Sequence, residues 1–413
     1  MRQSTECTAP RSPLPFLVAL SHAIRPNPFY VLGFRVIIPA PVNGSIRGRQ
    51  APPRPPRAWV EVNLAAVAEN ARTVARVAGT RLLPVVKANA YGVGAVAVSK
   101  ALEALDPWGY GVATLEEGAE LRAAGITRPV VVFMPGQPAL FPEFERFRLT
   151  PALGDAAAIA EWTGRGTRPF HLEIDTGMGR SGVRWDEIDA VRAAANTPAL
   201  EGCYTQFHSA DRRDGSAELQ LERFERALAR LERRPTVLHV ANSAAALANR
   251  RFAFDLVRPG VFLYGGSPGE GFPEPRPVVS LRARVLTVRR VAAGESVSYN
   301  ASWRAARTTT VATLGIGYAD GVRRAVGLSG RGAVLLGEDG RRCPIIGAVT
   351  MDLMMVDTGD RPARVGDVAT LIGEGDGEGK RERISLEEFS AWSGELQRAV
   401  LTSLGPRLPR IYD

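Results

Sequence analysis

Lysine is nearly missing from this chain. Of its 52 basic residues only three are lysines (Lys87, Lys100 and Lys380) and the other 49 are arginines. Where only positive charge is needed the chain uses arginine, so a lysine in an apolar setting asks for a different purpose. Cysteine is as scarce. Cys7, Cys203 and Cys343 are scattered, which points to neither a disulfide framework nor a zinc site and fits a reducing compartment. The four histidines (His22, His171, His208, His239) show no metal-ligand spacing. No apolar run approaches the length of a membrane-spanning helix. Hydrophobic residues still make up 45% of the 413, enough for a sizeable core. That length predicts two domains, or one large barrel with an appendage.

The formal charge of +9 is local. Residues 1–57 hold eight arginines against the single acid Glu6, which accounts for +7 and leaves +2 for the remainder. A nearly neutral body without a basic stripe excludes nucleic-acid binding as the main function. The same 57 residues are rich in proline and arginine and are expected to be disordered. Their acid-poor composition resembles a targeting segment. A start codon set too far upstream explains it equally well and is the simpler reading.

From Trp59 onward the pattern is regular. Residues 60–64 alternate like a strand, and Asn63 is placed to cap a helix over 64–77 that ends before Gly79. Short apolar strands follow near 82–87, 108–114, 129–134, 149–154, 168–174, 200–207, 236–241 and 256–264. Helical stretches such as 94–105, 116–124, 186–195 and 217–234 lie between them. Eight strand–helix units predict an α/β fold, a parallel (β/α)8 TIM-like barrel over residues 58–275. A doubly wound open sheet fits less well, because it does not need eight strands and no glycine-rich nucleotide fingerprint is present. Residues 265–277 read as a linker. A mostly-β C-terminal domain follows over 276–413, with one helix from Ser385 opened by the capping-box pair Ser385 and Glu388.

The chemistry gathers where such a barrel keeps it, at the C-terminal ends of the strands. Lys87 ends the first strand, in the run Val85-Val86-Lys87-Ala88-Asn89-Ala90-Tyr91-Gly92. Desolvation lowers an amine's pKa, and an unprotonated amine can form a Schiff base. The plainer possibility is a lysine whose stem packs while its head reaches solvent. Asn242-Ser243 after strand seven and Arg258-Pro259-Gly260-Val261 at strand eight form a candidate phosphate cradle. Each taken singly has an ordinary structural explanation, a helix cap or a bend. Together they describe a place for pyridoxal 5'-phosphate (PLP).

Here the chain resembles a known family. From about Arg57 to the end it is similar to the bacterial alanine racemases. The likeness is carried by the Lys87 run, Asp175-Thr176-Gly177-Met178-Gly179-Arg180, Ala241-Asn242-Ser243-Ala244, Arg258-Pro259-Gly260-Val261, Val297-Ser298-Tyr299, residues 315–321, Met351-Asp352 and residues 409–412. The resemblance implies interconversion of L- and D-alanine, in the cytoplasm, supplying D-alanine for peptidoglycan. It implies that Lys87 holds PLP and serves as base on one face of the substrate Cα, with Tyr299 as base on the other. Nothing but the resemblance singles out Tyr299 from eight tyrosines. Arg258 would face the pyridine nitrogen, and Arg180 the PLP phenolic oxygen and the substrate carboxylate, with the Met351 N–H. Tyr91, Asn242, Ser243, Gly260 and Val261 would bind the cofactor, chiefly its phosphate. A head-to-tail homodimer would bring Tyr299 to the partner's site.

Three positions depart from the family pattern: Glu173 in place of a carboxylated lysine, Gln206 in place of a histidine packed on the ring, and Pro406 in place of a phosphate-binding tyrosine. Other readings are a racemase of broader specificity, a decarboxylase of the same two-domain plan, and a non-catalytic PLP-binding barrel. The last lacks a second domain and is disfavoured by residues 278–413.

Overall fold

In the computed structural model, residues 55–337, 340–375 and 382–413 are described. The disorder expected of residues 1–57 therefore lies outside them up to residue 54. Arg57 itself is firmly placed: its guanidinium grips the fully buried Asp320 at 2.7 and 2.9 Å.

Strands β1 (Ala58–Val62), β2 (Arg81–Leu82), β3 (Tyr110–Val112), β4 (Val130–Pro135), β5 (Thr150–Leu153), β6 (Phe170–Asp175), β7 (Val183–Arg184), β8 (Leu200–Tyr204), β9 (Val237–His239) and β10 (Leu256–Val257) make up the first part. All but β1 belong to a parallel barrel, in the sequence β3-β4-β5-β6-β8-β9, with the short β7 against β6. The ring closes through β10 and β2: Leu83 N–H reaches the Val257 carbonyl at 2.8 Å, Val86 N–H the Gly111 carbonyl at 2.8 Å, and Arg258 N–H the Ala241 carbonyl at 2.8 Å. Eight staves result, as expected. Their apolar side chains, such as Val130, Val132, Phe170 and Leu172, are buried because helices cover the outside.

Several boundaries differ from expectation for local reasons. The first stave is regular only over Arg81–Leu82, since Pro84 has no N–H to offer, and Lys87 opens the turn beyond it. The last is regular only over Leu256–Val257, where Pro259 ends it and the 3-10 turn Val261–Tyr264 follows. The helix Leu64–Ala78 is as expected: the Asn63 side chain accepts from Ala66 N–H at 2.6 Å, and Gly79 ends it in the left-handed conformation.

β1, expected to begin the barrel domain, does not join it. It pairs antiparallel with β11 (Val279–Val291). The remaining strands are β12 (Ser296–Val297), β13 (Trp303–Arg304), β14 (Thr309–Leu314), β15 (Ala333–Leu336), β16 (Arg341–Ile346), β17 (Met354–Gly359), β18 (Val368–Glu374), β19 (Arg383–Ile384) and β20 (Arg410–Tyr412). Because β18 pairs with β11 as well as β15, the path β11-β18-β15-β16-β17-β14 closes into a second, smaller barrel. β1 and β20 extend one edge of it. Ser385 caps the helix Leu386–Ser393 by accepting from Glu388 N–H at 3.0 Å. The Glu388 carboxylate, however, turns to Arg342 at 2.6 Å, so the capping box is half made. No described helix is long and apolar enough to cross a membrane.

Candidate active site

Lys87 begins a turn whose backbone is left-handed at four successive residues without a glycine: Ala88, Asn89, Ala90 and Tyr91 have φ between 52° and 55°. Such geometry costs roughly 1–2 kcal/mol per residue and persists only where the surroundings impose it. Here they do. The Glu117 carboxylate accepts from Ala88 N–H at 2.6 Å and from Ala113 N–H at 2.7 Å. Asn89 Oδ1 accepts from Ala95 N–H at 2.8 Å, the Tyr264 hydroxyl donates to the Val85 carbonyl at 2.8 Å, and Arg410 donates to the Gly92 carbonyl at 2.9 Å. The only sequence signal at Glu117 is the capping spacing of Thr114-Leu115-Glu116-Glu117, and Thr114 and Glu117 do form a full capping box.

The turn holds the Lys87 amine partly buried above the barrel. Desolvation, and then the Arg180 charge, push it below the ordinary lysine range; Glu117 opposes them and Arg258 adds to them. Among the described residues its Nζ takes no hydrogen bond.

Arg258 projects into the barrel, 4% exposed. Nη2 donates to the Thr205 carbonyl at 2.8 Å and to Gln206 Oε1 at 3.2 Å, and Nη1 donates to the His239 carbonyl. Its carbon lies 5.3 Å from the centre of the Tyr204 ring. Burial brings the guanidinium down to about 10, against a raising influence from Tyr204 and Glu173. Gln206 is thus occupied at its oxygen by Arg258, and its Nε2 donates to the Phe207 carbonyl at 3.1 Å.

The residues expected to form a phosphate cradle are brought together. Ser243 starts the helix Ser243–Ala248 and its Oγ accepts from Gly260 N–H at 2.9 Å, which leaves the hydroxyl proton for another acceptor. Gly260 faces Tyr91 so closely that a Cβ there would sit 2.5 Å from the Tyr91 hydroxyl. Tyr91 in turn stacks on Tyr264 with ring centres 4.9 Å apart. Val261 is the first residue of the 3-10 turn that follows. Asn242 differs in one respect: its side chain caps Ala245 N–H at 3.1 Å, so its contribution is to set the helix that carries Ser243.

Arg180 follows a loop wound around one carboxylate. Asp175 accepts from the N–H groups of Gly177, Met178 and Gly179 at 2.8 to 3.2 Å. Beneath the loop lies the buried Glu173, 4.0 Å from Arg180 and hydrogen-bonded by Ser181 at 2.9 Å. Burial raises the Glu173 pKa while Ser181 and Arg180 hold it down. The Tyr204 hydroxyl is buried nearby, and among the described residues it has no well-formed hydrogen bond.

Tyr299 and Met351 are placed elsewhere, on the second barrel, 67% and 53% exposed. The Tyr299 turn rests on residues 347–348, where Ser298 Oγ donates to the Ala348 carbonyl at 2.7 Å. Neither side chain is in a hydrogen bond, ion pair or ring contact with the Lys87 group.

Comparison with known proteins covers both barrels. Residues 62–268 match the family model "Alanine racemase, N-terminal domain" and residues 278–412 "Alanine racemase, C-terminal domain". A curated alanine racemase from Sorangium cellulosum is 40% identical over 385 residues, covering 87% of this chain and 99% of the relative. The crystal structure of an alanine racemase from Bartonella henselae with covalently bound pyridoxal phosphate superposes with a TM-score of 0.78 at 30% identity, covering 87% of this chain and 100% of that one. A histidine racemase from Leuconostoc mesenteroides gives the same TM-score at 26% identity, with 89% and 100% covered. Two matched domains in order, and a relative matched from end to end, make the chain a member of the alanine racemase family of amino-acid racemases.

Proposed function

We propose that this protein racemises alanine with PLP held at the mouth of the first barrel. The observation that carries the reading is the Lys87 amine: partly buried, depressed in pKa and without a hydrogen bond among the described residues, close to Arg180 and Arg258 and on the same rim as a candidate anion cradle. The residues fit the cofactor. An amine can hold its aldehyde carbon, Ser243, Tyr91 and the backbone at Gly260 and Val261 suit its phosphate, and Arg258 suits its ring nitrogen. When bound, PLP supplies an electron sink that acidifies the substrate Cα–H.

The chain's own groups do the rest. Lys87 Nζ takes or returns a proton on one face of Cα, and Tyr299 Oη of a second copy does so on the opposite face. The exposure of Tyr299 and Met351 supports a head-to-tail homodimer, in which each site borrows them from the partner. Arg258 stays charged and donates, so the ring nitrogen it meets stays unprotonated, a weaker sink that restrains side reactions. Arg180 holds the substrate carboxylate. Purified protein supplied with PLP should convert L-alanine to the racemate and leave L-histidine unchanged. The likeness to a histidine racemase supports a second reading, in which the pocket takes a larger side chain; the reverse preference in that assay would establish it.

Two substitutions follow from the geometry. Glu173→Gln removes the fixed negative charge beneath Arg180 and keeps the Ser181 hydrogen bond; the KM for alanine should rise about tenfold with kcat little changed. Unaltered kinetics would mean that the carboxylate does not orient Arg180. Gly260→Ala places a methyl against the Tyr91 hydroxyl and into the phosphate cradle. PLP affinity, read by titrating the visible absorbance, should fall about tenfold or more. Undiminished affinity would move the phosphate elsewhere.

A further inference from the structure

Behind Arg258 runs a line of buried groups that the proposed reaction does not use. Arginine nitrogens only donate, so His239 Nδ1, 3.0 Å from Arg258 Nη1, must accept. The proton of a neutral His239 is then on Nε2, which faces His171 Nδ1 at 2.8 Å. His171 accepts in its turn, so its proton is on Nε2, 3.4 Å from the Glu201 carboxylate. Every N–H in the line points one way, from the guanidinium to the carboxylate. Burial, Arg258 and His171 all hold the His239 pKa well below the usual imidazole range, in keeping with a neutral ring.

The surroundings are shaped for this line. Both histidines are fully buried. His171 crosses the neighbouring strand at Gly202, where a Cβ would lie 2.5 Å from its ring. Trp108 packs on His171 at 5.6 Å between ring centres, and Tyr204 stacks on His239 at 5.0 Å with the planes 8° apart. Glu201 is the second residue of β8, toward the end of the barrel away from Lys87, and its side chain is 32% exposed, so its charge stays solvated. Nη1 and Nη2 of Arg258 are taken up by His239, Val240, Thr205 and Gln206, and Nε is in none of these bonds. Were His239 in its other tautomer, an N–H would face the Nη1 N–H, and the guanidinium would have to turn away.

We propose that His171 and Glu201 are positioning residues for Arg258, fixing through His239 the tautomer and hence the direction in which the guanidinium presents its free N–H to the site. This rests on the reading of Arg258 as the partner of the cofactor ring. It extends the working site through the barrel core to Glu201, beyond any group that touches substrate or cofactor.

The test combines kinetics with a direct view of the rings. The chain has only four histidines, so selective 15N labelling of the full-length protein, with and without PLP, resolves them. Two rings should appear as fixed Nε2–H tautomers, and Glu201→Leu should convert them to mixtures. His171→Phe keeps an aromatic ring against Trp108 but cuts the line; with PLP still bound, kcat should fall about tenfold, the KM should stay within about twofold, and the visible absorbance of the cofactor should shift. His171→Gln, which can accept from His239 and donate to Glu201, should restore kcat to within about threefold of wild type. A His171→Phe protein with lowered melting temperature but unchanged kcat and absorbance would reduce these residues to packing and overturn the proposal. Wild-type protein with fixed tautomers but no PLP binding would overturn it from the other side, by removing the role of Arg258 while leaving the line intact.

Discussion

Lys87→Ala is expected to lower racemisation by about 10³-fold or more, since it removes a base and the attachment point for the cofactor together. The loss should not be one of folding. The left-handed turn is held by backbone contacts to Glu117, Asn89 and Arg410, none of which involves the lysine side chain. Lys87→Arg keeps the positive charge but cannot condense with an aldehyde, so it should be as inactive as the alanine variant. Borohydride treatment of PLP-loaded wild type should fix the cofactor mass on the peptide containing Lys87, and on no peptide of either variant. A cofactor trapped at Lys100 or Lys380 would refute the assignment.

Tyr299→Phe should lower activity by about 10²- to 10³-fold by itself, because one face of Cα loses its proton carrier. The larger effect is what happens on mixing. If each site combines Lys87 of one chain with Tyr299 of another, a dimer of Lys87→Ala with Tyr299→Phe has one site lacking both bases and one with both intact. Two nearly inactive preparations, unfolded and refolded together or co-expressed, should then recover about a quarter of wild-type activity, half the dimers being mixed and half of their sites complete. If Tyr299 served its own chain, every site would lack one base and no activity would return. The surface position of Tyr299, two-thirds exposed on the second barrel, is the reason to expect recovery.

The parts of the fold that local signals control were legible. Asn63 and Gly79 mark the ends of the helix Leu64–Ala78, and Ser385 caps the helix expected to start there. What the sequence hides is pairing at a distance. β1 looks like the opening of the barrel, yet its partner is β11, and a pair such as Glu61 and Arg282, 3.0 Å apart, leaves no local trace. The turn after Lys87 was equally hidden, because alanine, asparagine and tyrosine do not favour left-handed backbone; the conformation is imposed from Glu117 and the C-terminal strand.

In the site, Lys87, Arg258, Ser243, Gly260 and Tyr91 could be brought together by reasoning from strand ends, since barrel topology decides where those ends lie. The roles of Arg180 and Tyr91, and the choice of Tyr299, come only from family likeness. The line through His239 and His171 was missed. Two isolated histidines carry no motif, and only the register of His171 opposite Gly202 and of Tyr204 opposite His239 brings them into one row.

The most direct test of the central claim is isotopic. PLP-supplemented protein is incubated with L-alanine in D₂O, and the enantiomers and their α-deuterium are followed by chiral chromatography with mass detection. Two opposed bases that exchange with solvent predict D-alanine carrying deuterium at Cα, with label also entering recovered L-alanine. Bound PLP with neither D-alanine nor exchange at Cα would contradict alanine racemisation by Lys87 and Tyr299.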